Sequence, residues 1–355
     1  TGIRRLESGC TATLRAGDEV TAKRYFKPDF EVTPVPKGTE QDLFDRIARA
    51  LEDSVEKHMR ADVTVGSFLS GGIDSSTVLH LVARALGPER CKALYLPDRA
   101  TGPETKEYVV AAAESAGVEL IERSIADTID AQFTQDDVAA IIRKYAPEYD
   151  PAKHAYAVNT SPSMARRLGA LVYQVVIGPR HGDAEKTLRM SADDLRAIIA
   201  YQNRKQRTRM LFAYAEAERL NYAVVGASNG DELRSGFVVK YGDDAADICA
   251  IGDCTKPQVY DLARELGVPQ SIIDRTPTTD TYALNQSQED YYYALPAEVL
   301  TAVVSMSDEE LADDAALEAL LAGLPGWSVA SLRQAAAGLR TSLRYLRTRS
   351  KVMGT

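Results

Sequence analysis

Apolar residues along this chain follow two rhythms. Val63-Thr64-Val65-Gly66-Ser67-Phe68-Leu69, Cys91-Lys92-Ala93-Leu94-Tyr95-Leu96-Pro97 and Val118 to Ile125 are short, largely apolar runs bounded by turn residues, the pattern of buried strands. Thr77 to Leu86 and Thr105 to Ala116, which separate them, space their apolar residues as helices do. Strand, helix, strand, helix, strand at short spacing predicts an α/β fold around a parallel sheet with right-handed crossovers. Ligands of such sheets bind beyond the carboxyl ends of the strands. There the turn after Leu69 meets Tyr95-Leu96-Pro97, so a flat base is expected near Leu96.

Upstream, turn signals at Ser8-Gly9 and Ala16-Gly17-Asp18-Glu19 predict a small hairpin within residues 1–30, followed by a Pro-rich connector. From Thr39, Leu43, Ile47, Ala50, Leu51 and Val55 recur at helical spacing. Downstream, Asn203 opens a basic helix, Tyr222-Ala223-Val224-Val225-Gly226 reads as a strand, and helical patterns surround Leu300 and run from Leu311 to Leu321. From Ser328 to Lys351, Arg333, Arg340, Arg344, Arg347 and Arg349 share a helix with Leu332, Leu339, Leu343 and Leu346, as on a solvated amphipathic helix. The expected organisation is a hairpin and linker over 1–38, a main domain over 39–290 and a helical extension over 291–355. About 127–195 has no clear rhythm and is expected to be either an exposed insertion or a lid that shapes a substrate site.

Composition narrows the class without naming a chemistry. Hydrophobic residues make up 45% and charged residues 26%, the balance of a globular protein with room for a core. No apolar run reaches the roughly 20 residues of a membrane span. The first residues lack the apolar core of a secretion signal, so a cytoplasmic location is expected. A net charge of −9 argues against a nucleic-acid-coating protein. Cys10, Cys91, Cys249 and Cys254 form no metal-like array and have no positioned base beside them.

The chemistry concentrates in Ser70-Gly71-Gly72-Ile73-Asp74-Ser75-Ser76, between a strand and a helix. Glycines let backbone N–H groups approach an anion, a helix N-terminus adds partial positive charge, and hydroxyls donate to phosphate oxygens. Asp74 alone would repel phosphate, which points to a bridging metal ion. An ordinary helix entry capped by Asp74 or a serine would use the same residue types.

Ser-Gly-Gly-Ile-Asp-Ser-Ser resembles the pyrophosphate loop of the N-type ATP pyrophosphatases, the group that includes asparagine synthetase and NAD synthetase; the Gly-Lys-Ser/Thr ending of a Walker A loop is absent. Gly2 to Leu6 and Arg24 to Pro28 resemble the linker of asparagine synthetases, which implies a synthetase domain without the glutaminase half. Asn203-Arg204-Lys205-Gln206-Arg207-Thr208-Arg209-Met210, Ala227-Ser228-Asn229-Gly230-Asp231-Glu232, Lys240-Tyr241-Gly242-Asp243, Ala246-Asp247-Ile248 and Thr255-Lys256 resemble, in order, five segments of NAD synthetase. Val239, Ala227 and Ala250 stand where that family carries Thr, Thr and Pro.

The resemblance implies a doubly wound, adenine-nucleotide α-hydrolase-like sheet, of the Rossmann-like kind. It also implies roles. Ser70, Gly71, Gly72, Asp74, Ser75, Ser76, Leu96, Arg209, Thr255 and Lys256 would hold ATP and its pyrophosphate; Asp74 and Glu232 would hold magnesium. Asp74, Lys240, Lys256 and Arg207 would act in catalysis, and Asn229, Lys240, Asp247 and Asp280 would face the acid substrate. Two oxygen acids on different loops suit Mg2+ with phosphates. The reaction implied is attack of a small-molecule carboxylate on the α-phosphate of ATP, release of pyrophosphate, and displacement of AMP by ammonia or another amine. A separate glutaminase could supply the ammonia, and a homodimer is implied by the family. NAD synthetase proper, a specialised amide-forming enzyme, a sulfur-transfer or tRNA-modifying relative and a silent nucleotide-binding protein remain as readings.

Overall fold

The computed structural model describes residues 10–13, 21–24, 42, 45–47, 49–51, 53, 64–132, 135–169, 172–275, 282–285, 295, 297–321 and 324–347. The chain divides into two compact units, Thr1–Leu43 and Phe44–Thr355. In the first, β1 (Cys10–Thr13) and β2 (Thr21–Arg24) pair antiparallel with Cys10 opposite Arg24.

The second unit begins its main sheet with β3 (Thr64–Phe68), which passes through the Gly-rich turn into α1 (Ile73–Leu86). The helix therefore starts four residues earlier than apolar spacing predicts, because Gly72 in an extended conformation serves as N-cap and Ile73 is already buried. Asp74, Ser75 and Ser76 lie in its first turn rather than in a loop. β4 (Cys91–Tyr95), α2 (Thr105–Ala116) and β5 (Glu119–Glu122) follow. α2 ends at Gly117, whose φ of 68° closes the helix by donating to the Ala113 and Glu114 carbonyls.

The described residues between 126 and 188 form packed elements rather than a loose insertion. α3 (Ala126–Gln132) and α4 (Gln135–Arg143) lead to β6 (His154–Thr160), α5 (Pro162–Leu168), β7 (Tyr173–Pro179) and β8 (Lys186–Leu188). The three strands make an antiparallel sheet in the order β6-β7-β8, with His154 opposite Pro179 and Thr160 opposite Tyr173. Small residues such as Ala155 and Ala157 mark its buried face, so its strands lack the bulky alternation that sequence reading relies on.

α6 (Ala192–Leu220) runs for 29 residues, beginning well before Asn203. Ser191 accepts from the Asp194 N–H, and Asp193 and Asp194 complement the positive end of the helix. After it come β9 (Tyr222–Gly226), α7 (Gly230–Ser235), β10 (Ile248–Cys249), α8 (Lys256–Leu266) and α9 (Gln270–Ile273).

The main sheet is entirely parallel in the order β10-β9-β3-β4-β5. The chain moves from β3 outward to β5 and then returns to the other side of β3, so the switch point lies between β3 and β9. The sheet is covered on both faces, as α/β sheets require. Val65, Leu69, Ala93, Tyr95 and Val225 pack with α1, α2 and α8; Phe68, Leu94 and Val224 pack with α6 and the 154–179 strands.

α10 (Ala297–Ser305), α11 (Asp308–Ala312), α12 (Asp314–Leu321) and α13 (Val329–Arg347) enclose a third core around Leu300, Leu317, Leu332 and Leu339 and pack against α5 and α7. Two arginines expected on a solvated face instead bind the chain. Arg333 donates to the Leu311 carbonyl at 2.7 Å and pairs with Asp314, while Arg340 pairs with Asp308. Among the described residues no helix is long and apolar enough to cross a membrane.

Asp98, just beyond β4, ties that end of the sheet to α6. Its Oδ2 accepts from Lys205 Nζ at 2.8 Å and from Arg209 Nη2 at 3.1 Å, while Oδ1 accepts from the Ala100 N–H at 2.7 Å. Burial pushes the carboxyl upward, but Lys205 and then Arg209 overcome it and hold the group below its ordinary 3.8. Because this pKa is depressed, its stabilising effect is present above pH 3.8 and is lost as pH falls through the folded value. Asp98→Asn leaves two cations buried without their carboxylate and should cost about 3–5 kcal/mol. Urea unfolding would show that deficit near neutrality, with variant and parent converging in strong acid.

Candidate active site

Beyond the carboxyl ends of β3, β4 and β9, a cavity of about 230 Å³ opens at the switch point. Its wall combines apolar groups, Leu96, Met210, Ala213 and Val224, with charged ones, Asp74, Glu232, Lys256 and Arg275.

The Gly-rich turn forms one side. Gly71 adopts φ 74°, and a Cβ there would come within 3.1 Å of the Thr105 carbonyl oxygen and of Tyr108 Cβ, so a side chain would be strained and crowded. The Ser75 hydroxyl donates to the Gly72 carbonyl at 3.2 Å and accepts from the Ser70 N–H at 3.2 Å, which closes the turn on itself. Gly72 has no side chain to cap α1, so the first-turn N–H groups remain oriented for an external acceptor.

Three loops converge on Asp74. Lys256, the first residue of α8, donates from Nζ to Asp74 Oδ2 at 2.5 Å, and Asn229 Nδ2 donates to Asp74 Oδ1 at 3.1 Å. Asn229 also caps α7: its Oδ1 accepts from the Asp231 and Glu232 N–H groups at 3.0 Å, and Glu232 Oε2 accepts from the Asn229 N–H at 3.0 Å. This capping box is what fixes Glu232 beside Asp74. Asp231 then ties the two helix starts together, accepting from the Lys256 N–H at 2.8 Å and from the Thr301 hydroxyl of α10 at 2.9 Å.

Charge in this cluster is finely balanced. Burial, and next the Asp74 carboxylate, push the Glu232 carboxyl up to about 8. Burial opposes the Lys256 charge, yet Asp74 and Glu232 outweigh it and raise the ammonium above its ordinary value. Asp243, also on the cavity wall, is pushed up to about 6 by burial. A carboxyl whose ionisation a neighbouring carboxylate disfavours, one lysine and an adjoining anion-ready helix end fit a divalent cation bound with phosphate. Among the described residues there is no group of three or more His, Cys, Asp and Glu side chains of metal-binding form, so phosphate and water would complete the shell.

Of the residues singled out from sequence, Ser70, Gly72, Asp74, Ser75, Leu96, Arg209, Glu232 and Lys256 line the cavity. Gly71 shapes the turn, Asn229 supports Asp74, and Thr255 is the N-cap of α8 in a capping box with Gln258. Ser76 does not line the cavity: it is fully buried and among the described residues its hydroxyl has no hydrogen-bond partner.

Arg207, Lys240 and Asp247 are not on the described wall. Arg207 Nε donates to the Lys240 carbonyl at 3.0 Å, and Lys240 Nζ lies 5.4 Å from the centre of the Tyr241 ring. Asp247 clasps the sheet edge, accepting from the Tyr214 hydroxyl at 2.9 Å and from the Val224 N–H at 2.9 Å. Asp280 lies outside the described residues.

Arg275 is the cavity residue that sequence reasoning missed. Its Nη1 donates to the Gly71 carbonyl at 3.1 Å and its guanidinium sits 4.6 Å from the centre of the Tyr108 ring. A lone arginine after a helix carries no local signal, and only the fold brings it to the turn. Of the cysteines, Cys91 is buried and its thiol is pushed up to about 11 by that burial, which is the opposite of an activated nucleophile.

Comparison with known proteins agrees with this geometry. The sequence profile of the family described as NAD synthase matches residues 147–319, and that of asparagine synthase matches 46–166. The chain is 37% identical over 254 residues to an NH(3)-dependent NAD(+) synthetase of Rhizobium meliloti, covering 71% of this chain and 74% of the relative. It is 33% identical over 306 residues to one of Mesorhizobium japonicum, covering 86% and 94%. Among solved structures, an NMN synthetase from Francisella tularensis shares the fold with a TM-score of 0.56 and 19% identity, over 89% of this chain and 98% of that one. A phosphate-ready turn at the switch point of a doubly wound sheet, together with these extended sequence matches, makes the chain a member of the NAD synthase family, ATP-dependent carbon–nitrogen ligases of the N-type ATP pyrophosphatase group.

Proposed function

We propose that the chain is an ammonia-dependent NAD synthetase that amidates the nicotinate carboxylate of deamido-NAD. The observation that carries this reading is the match over 94% of the length of the Mesorhizobium relative, itself named an NH(3)-dependent NAD(+) synthetase. A match of that extent takes in a chain of comparable length, so a long segment between the Gly-rich turn and α6 is compatible with that activity.

The substrate carboxylate attacks the α-phosphorus of ATP and the bond to the β-phosphate oxygen breaks, giving acyl-adenylate and pyrophosphate. Ammonia then attacks the acyl carbon, and AMP leaves with its oxygen as the amine loses a proton. Leu96, Met210 and Ala213 provide an apolar wall for adenine. The first-turn N–H groups of α1, the Ser70 and Ser75 hydroxyls and the cations Lys256 and Arg275 stabilise charge as pyrophosphate departs. Asp74 and Glu232 would hold Mg2+, which supplies neutralisation of the triphosphate. Glu232, whose carboxyl burial and Asp74 push up to about 8, would ionise on holding such an ion.

Asp247 favours a second reading. The family resemblance assigns it to the acid, yet both its oxygens are engaged by Tyr214 and Val224 at the sheet edge. An acid smaller than deamido-NAD would have no need of it. On family grounds the chain is also proposed to form a homodimer, which sedimentation would read directly.

Incubation with ATP, Mg2+, ammonium and deamido-NAD should give NAD, AMP and pyrophosphate in equal amounts, identified by mass. If only other carboxylic acids elicit pyrophosphate, the second reading replaces the first. Asp74→Ala should abolish acid-dependent pyrophosphate release, and full activity in that variant would overturn the site.

Asn229→Ala removes both the cap of α7 and the brace on Asp74. A cap is worth about 1 kcal/mol of stability. The expected kinetic loss is larger, roughly 100-fold in kcat/KM, because displacing the carboxylates disturbs pyrophosphate departure. A loss in activity no greater than the stability change implies would show that Asn229 acts only as a cap.

A further inference from the structure

A second cleft, of about 40 Å³, lies where β6 and the segments around Tyr149 and Arg180 meet α6 and residues 282–283. Its walls include the rings of Tyr156, Tyr201 and Tyr282 together with Arg180, Gln202 and Lys205. No acidic residue lines it among the described residues. The carboxylate behind Lys205 is Asp98, which Arg209 already shares. Arg180 donates to the Pro151 and Arg99 main-chain carbonyls and makes no ion pair among the described residues, so its charge is not cancelled there.

Gln202 gives independent evidence that something polar belongs in the cleft. It is 6% exposed, its Nε2 donates to the Tyr156 hydroxyl oxygen, and among the described residues its Oε1 has no hydrogen-bond partner. An unmet buried polar atom costs about 1–3 kcal/mol. Turning the amide over satisfies Oε1 from the Tyr156 hydroxyl and leaves Nε2 as a donor in need of an acceptor.

We propose that this cleft is a carboxylate-binding site linked to the nucleotide cavity through Asp98, which lines neither but binds residues of both. A planar guanidinium, an amide donor and a lysine between aromatic rings suit a flat, two-oxygen acceptor. The volume admits a carboxylate head group or a few waters and is far too small for a nucleotide. A bound carboxylate would compete with Asp98 for Lys205. Asp98 also holds the Ala100 and Thr101 N–H groups; Ala100 lines the cleft, while Thr101 and Arg209 line the nucleotide cavity. The carboxylate could come from a free small acid or, under the second reading of the function, be a second, unreacting carboxylate on an acid other than deamido-NAD, which has only the one that reacts. Binding itself does not depend on the amidation reading; only the kinetic comparison below does.

Acetate is the probe, followed by ligand-observed NMR on the full chain. Saturable binding is expected, weakened at least about tenfold in both Gln202→Leu and Arg180→Met, the size of one lost charge-assisted contact. ATP affinity measured without acetate should be retained in both variants, which reports that they fold. Absence of saturable binding up to about 100 mM acetate would mean water alone fills the cleft, and binding untouched by both substitutions would mean acetate sits elsewhere; either overturns the proposal. In the amidation assay, a free effector site predicts that acetate changes the KM for ATP. A subsite for the substrate's second carboxylate predicts a raised KM for the acid alone. Unchanged constants for both at saturating acetate would overturn a part in the reaction.

Discussion

Asp74 is the point on which three strand ends agree. It stands in the first turn after β3, while Asn229 reaches it from the end of β9 and Lys256 from the segment after β10. A parallel sheet delivers all its carboxyl ends to one edge, so loops far apart in sequence share a single small volume. The spacing of 155 residues to Asn229 and 182 to Lys256 is bridged by strand order alone. Without the β9-β3 pairing, the cluster would have no reason to form.

That convergence gathers like charges, and the protein tolerates them because Asp74 is held by the Lys256 and Asn229 side chains and its neighbours by backbone. Glu232 is held by the Asn229 N–H and Asp231 by the Lys256 N–H, so neither carboxylate can swing away from its neighbours. The result is a site of opposed charges in which burial and Asp74 push the Glu232 carboxyl up to about 8. Pre-organised groups of this kind need little rearrangement when charge builds up on a leaving group. The C-terminal helices contribute by holding α7 through Thr301, which places part of the site's rigidity outside the sheet.

Local chemistry was what the sequence made legible. The turn from Ser70 to Ser76 and the segments around Asn229 and Thr255 are short, their functions depend on neighbours a few residues away, and they can be read without a fold. The parallel sheet followed from strand and helix rhythm. Three things escaped for physical reasons. α6 starts at its Ser191 cap, and the apolar residues Leu195, Ile198 and Ile199 of its first turns stand out less in the sequence than the basic run from Asn203. β6 buries alanines, which leave a weak alternation. Asp98 and Arg275 act across long separations, and nothing beside them in the chain announces a partner at 111 or 204 residues' distance.

α6 has a particular place in this arrangement. Gln202 and Lys205 border the small cleft, whereas Gln206, Arg209, Met210 and Ala213 border the large one, all within three turns of the same rod. A helix cannot slide one wall without sliding the other. Sequence change on the 154–179 strands can therefore remodel the outer side of the partition, but any change that shifts the helix along its axis is felt at the nucleotide. Variation in what the enzyme recognises is thereby confined to side chains and loops, while the register of a single helix is kept fixed by the chemistry it does not itself perform.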